Sequence, residues 1–79
     1  MNGYNVQYRT IKDGKTIARF DSYVKATHEN KAKQLMEERI LELEKQDGVR
    51  RTIWGVLFLG PAIGEEKEKI VMITSNKPT

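Results

Sequence analysis

Val49-Arg50-Arg51-Thr52-Ile53-Trp54-Gly55-Val56-Leu57-Phe58-Leu59-Gly60 reads as one long strand whose apolar side chains fall on both parities. Successive strand residues point to opposite faces of a sheet, so a strand covered on one side alternates apolar with polar. This one does not alternate. Ile53, Leu57 and Leu59 share one parity, and Trp54, Val56 and Phe58 share the other. If a single helix covers the sheet, one of these triplets emerges on the uncovered face, and that face should meet a partner.

Upstream of this strand the period is 3.6. Ala32, Leu35, Met36, Ile40 and Leu43 form one stripe, with Lys31, Lys33, Glu37, Glu38, Glu42 and Lys45 largely off it, which predicts an amphipathic helix. Thr27 is the expected N-cap, Glu29 suits the positive helix end, and Gly48 is the expected stop. Leu41 falls outside the stripe.

Further upstream the period is two. Tyr4, Val6 and Tyr8 alternate with Asn5, Gln7 and Arg9, and Asp13-Gly14 signals a hairpin turn. A three-residue loop at Lys12-Asp13-Gly14 pairs Ile11 with Lys15, Val6 with Phe20 and Tyr8 with Ala18 on one face. Gln7 then meets Arg19 and Asn5 meets Asp21 on the other. Downstream, the Gly60-Pro61-Ala62-Ile63-Gly64 bend and a charged stretch lead to a fourth strand at Ile70 to Thr74. Residues 74–79 read as a loose tail. The expected fold is therefore a single α+β domain over residues 1–79, ββαββ, with a four-stranded antiparallel sheet in the order 2-1-3-4 and one amphipathic helix on one face.

Composition narrows the function classes. A domain of 79 residues has a thin core, and without cysteine no disulfide or thiolate metal site reinforces it. No apolar run approaches the ~20 residues of a spanning helix, and no signal segment is evident, so a cytoplasmic location is the expectation. The net charge is +3, but His28 to Asp47 holds six acids against four bases, so the positive charge lies off the helix.

No motif points to a reaction or a cofactor. Gly14-Lys15-Thr16 has the last residues of a phosphate-binding loop, but Arg9 stands where the first glycine belongs and a strand follows where a helix is required. His28 is the single histidine, without the neighbours that a metal site or a triad needs. The helix carboxylates alternate with bases, as solvated faces do. The expectation is no enzyme, no metal and no cofactor.

Two groups of residues remain as candidate binding sites. Ile53, Trp54, Val56, Leu57, Phe58 and Leu59 have the composition of a protein interface, with arginine beside them. Arg9, Lys15 and Arg19 are expected to share the polar face of the first hairpin, with Arg50 and Arg51 opening the third strand and Tyr23 nearby. Such a face suits a nucleic-acid backbone or an acidic partner.

Tyr8-Arg9, Asp13-Gly14-Lys15, Thr27 and Ala32, a hairpin leading into a Thr-started helix, resemble the arm-type DNA-binding domains of phage tyrosine recombinases. Val24-Lys25-Ala26 followed by Lys31-Ala32-Lys33 is similar to the strand-to-helix joint of small phage accessory proteins, including anti-CRISPR inhibitors. The second resemblance implies a stoichiometric binder that blocks a host complex by occupying its surface. The leading expectation is thus a non-enzymatic protein-binding module, an inhibitor that forms a homodimer, with a small basic DNA- or RNA-binding domain as the alternative.

Overall fold

A computed structural model describes residues 1–64 and 67–76, the last two of these by backbone only. The chain runs through β1 (Asn2–Lys12), β2 (Lys15–Ala26), α1 (Glu29–Asp47), β3 (Arg50–Pro61) and β4 (Lys69–Asn76). It is an α+β fold: one antiparallel four-stranded sheet with the helix across one face.

The strand order is β3-β1-β2-β4, which corrects the expected 2-1-3-4. The helical crossover does skip β1 and place β3 beside it, as expected. What differs is β4, which pairs with the open side of β2 instead of folding back on β3. On that side Ile70 lies opposite Val24 and packs against the core. Glu68 fixes the start of β4 there, its carboxylate accepting from the Thr27 N–H at 2.9 Å and the Thr27 hydroxyl at 3.0 Å. On the other side the Ala62 N–H donates to the Met1 carbonyl at 2.8 Å, extending the β1–β3 pairing as the chain leaves it. Among the described residues, the outer edge of β3 has no strand partner.

The first hairpin turns in two residues, not three. Asp13 and Gly14 both have positive φ, 53° and 75°, so Lys12 pairs directly with Lys15 in the primed turn that suits twisted strands. An irregularity then leaves Ile17 without a partner, between the Ile11–Thr16 and Thr10–Ala18 pairs. Together these shift the expected register by two residues, so Val6 faces Ser22, Tyr8 faces Phe20, Gln7 faces Asp21 and Asn5 faces Tyr23. A shift of two preserves parity, which is why the faces come out as the alternation predicts although the partners do not.

Tyr4, Val6, Tyr8, Val24 and Ala26 from the sheet bury against Ala32, Met36 and Ile40 from the helix. Phe20, Leu35, Ile53, Val56 and Ile70 pack around them. Tyr8 and Phe20 stack with ring centroids 4.8 Å apart. Ser22 is buried opposite Val6 at no polar cost, because its hydroxyl donates to the Val6 carbonyl at 2.7 Å.

The helix begins one residue later than the Thr27 cap predicts. His28 is the extended cap residue and makes no side-chain cap bond, since Thr27 is committed to Glu68. At the other end Gly48 is left-handed, with φ 71°, and its N–H closes on the Glu44 carbonyl. Strand β4 continues to Asn76, so residues 74–76 are not a tail, while 77–79 lie outside the described residues. No helix among the described residues is long and apolar enough to cross a membrane.

Candidate interaction edge

Strand β3 lies at one edge of the sheet, and two irregularities break its alternation. Gln7 pairs with Gly55 but Tyr8 pairs with Ile53, so Trp54 is an extra residue; Gly3 pairs with Gly60 but Tyr4 with Phe58, so Leu59 is another. Each bulge exchanges the parity that faces the helix. Ile53 and Val56 therefore both turn to the core despite their different parities. Phe58 lies on the same side, tilted against Tyr4 with centroids 5.7 Å apart.

This corrects the expectation that one triplet occupies the uncovered face. Of the six residues, only Leu57 lies there in regular register, opposite Asn5. The apolar surface is instead at the strand's edge, where Trp54, Leu57, Phe58 and Leu59 are each 52–58% exposed. Between Thr52 and Gly60 this edge has no charged residue and no proline, the side-chain devices that usually keep an open strand from pairing.

Beside the edge runs a groove between β3 and α1. One section, about 340 Å³, has Ile40 and Leu41 among the charged Lys33, Glu37 and Glu44 on its helix wall and the strand from Arg50 to Ile53 on the other. The next section, about 310 Å³, lies between Glu29, Asn30 and Lys33 and the strand at Trp54, Gly55 and Val56. Leu41, more than half exposed, forms part of this wall. Its place outside the helical stripe was the available signal for it. The apolar residues of the opposite edge, Val71, Met72 and Ile73, carried no comparable signal because a short apolar strand reads equally well as core.

The helix-free face is mainly polar. Side chains lie down across glycines: a Cβ at Gly3 would meet the Tyr23 hydroxyl at 2.6 Å, and one at Gly55 would meet Gln7 Oε1 at 2.9 Å. Of the five basic candidates, three come together on this face. Arg9 is directly opposite Arg19 on one side and Thr52 on the other, and Arg50 is opposite Ile11. Like charges so placed repel. Arg9 Nε is covered without a hydrogen-bond partner among the described residues.

Lys15 and Arg51 leave this cluster. The displaced Ile17 puts Lys15 on the other parity, opposite Lys12 at the hairpin tip. Arg51 lies on the helix side and grips Asp47 with both terminal nitrogens, Nη1 reaching Oδ1 at 3.0 Å, while its backbone N–H donates to Glu44 Oε1 at 3.0 Å. The guanidinium bond, with the Val49 N–H next in effect, lowers the Asp47 carboxyl from 3.8 to about 2. Asp47 in turn raises the Arg51 pKa. This pair joins the end of α1 to the start of β3.

No protein-family model matches the chain, and no curated protein and no solved structure is similar enough to count as a match.

Proposed function

We propose that this protein is a non-enzymatic protein-binding module that acts through the outer edge of β3 and the groove beside it. The observation that carries this reading is a run of half-exposed Trp54, Leu57, Phe58 and Leu59 on a strand whose outer side has no partner among the described residues. An extended segment laid along β3 would extend the sheet through its main chain and send alternate side chains into the groove. A chain of this size binding in that way works by occlusion, as a stoichiometric inhibitor does. The test is affinity capture with the immobilised protein, with and without nuclease, beside a Trp54→Glu/Phe58→Lys variant. A protein retained by the wild type, insensitive to nuclease and lost with the variant supports the reading. Equal retention by both removes β3 from it.

A second reading rests on the directly opposed Arg9 and Arg19 on the helix-free face, with Arg50 beyond them. Two arginines held against each other gain from a phosphate between them. Single-stranded DNA or RNA binding that weakens steeply with salt, and is lost in Arg9→Glu/Arg19→Glu, supports it. Unshifted nucleic acid at low salt with excess protein eliminates it.

A further inference from the structure

Resting on the reading of β3 as a docking edge, we infer that in the free protein its occupant is a second copy of this chain, which a target segment would have to displace, joined by antiparallel β3–β3 pairing about a two-fold axis near Val56. The strand has two unlike halves. Its first half, Arg50 to Val56, lies beside the groove walled by α1. Its second half carries Phe58 and Leu59, apolar and more than half exposed. An antiparallel two-fold pairing sets the second half of each copy against the first half of the other, so Phe58 of each copy, backed by its own Tyr4, lies opposite the other's Trp54 at the mouth of the groove, whose far wall is the polar Glu29, Asn30 and Lys33. The same operation lays Leu57 over the partner's Gly55, the position without a side chain of its own. Such self-complementarity is what an isologous contact requires.

Charge selects the same arrangement. Arg50 and Arg51 open β3 and Gly60 and Pro61 close it, so antiparallel pairing sets the arginines against uncharged residues, whereas parallel pairing sets arginine on arginine. The bulges at Trp54 and Leu59 leave Gly55 to Phe58 regular between them, and the axis falls within that stretch. On the order of 100 Å² from each of the four exposed side chains is about half of the ~800 Å² per partner of a standard interface. The groove walls and strand backbone contribute the remainder. The product is one continuous eight-stranded sheet with both helices on the same side.

The absence of native cysteine makes the geometry directly testable. Residues opposite each other across an antiparallel pair have Cα atoms about 4.5–5.5 Å apart, within disulfide reach. Under mild oxidation Val56→Cys should therefore cross-link into a dimer, whereas Lys12→Cys at the hairpin tip should not. In sedimentation equilibrium the wild type should dimerise, and the surface variant Leu57→Lys/Phe58→Lys should associate about tenfold or more weakly while keeping its circular dichroism. A wild type that stays monomeric at high micromolar concentration overturns the inference, as does a dimer that the variant leaves intact. Quenching of the single tryptophan separates that failure from failure of the underlying reading. A monomer with freely quenched Trp54 keeps an open edge for a different protein. A monomer with protected Trp54 covers its own edge and removes both.

Discussion

Asp47 and Arg51 illustrate how a residue's place reassigns its role. As sequence, Arg51 belongs with the basic candidates; as structure, it is spent on Asp47 four residues before it. Nothing in residue type distinguishes Arg51 from Arg50, and only the parity exchange at Trp54 sends Arg51 to the helix side. The pair gives a signed pH dependence. A carboxyl depressed in the folded state stabilises fully above its unfolded value and loses that contribution as pH falls through the folded one. For Asp47 the loss runs from about pH 4 down to about 2. Urea midpoints of the wild type should fall across that window more than those of Asp47→Asn, and parallel curves would contradict the assignment. The core residues make a stronger demand. Met36→Ala or Ile40→Ala should cost about 2–5 kcal/mol, whereas Leu41→Ala should stay within about 0.5 kcal/mol because Leu41 packs on the groove's rim. Chemical denaturation measures both, and equal costs would move the core.

Among the elements, periodicity located the first strand and the helix and failed where the strands are irregular. The helix was legible because its stripe sustains a 3.6 period through Ala32, Met36 and Ile40, and Gly48 ends it as predicted. The hairpin register was legible only modulo two, since alternation fixes the face of Val6 and Tyr8 but not which residue lies opposite. The bulges at Trp54 and Leu59 were not legible, yet they explain the two-parity run that a straight strand cannot. The placement of β4 involves contacts between residues distant in sequence, Val24 with Ile70 and Thr27 with Glu68, which no local pattern encodes. Hydrogen bonds from Thr27 also lower the Glu68 pKa, so acid should loosen this tether. Glu68→Gln should speed amide exchange in Val71–Ile73 while leaving β1 protected. Unchanged exchange in β4 would show that the sheet pairing alone holds it.

For the whole molecule, placing β4 beside β2 determines which surface is available. Had β4 folded back onto β3, the apolar run would lie inside the sheet and Trp54, Leu57, Phe58 and Leu59 would need no explanation. With β4 on the far side, an edge strand remains whose outer main chain has no strand partner among the described residues and whose Trp54, Leu57, Phe58 and Leu59 stay more than half exposed. Composition could reveal that the apolar residues exceed what one thin core absorbs, but not that the excess lies at an edge. The most direct test is amide-resolved hydrogen exchange of β3 as protein concentration rises. At low concentration alternate amides between Gly55 and Phe58 should exchange rapidly, and they should become protected as copies associate, with the amides of β4 unaffected. Uniform, concentration-independent protection of β3 from the outset would mean that the chain seals this edge itself, contradicting the account.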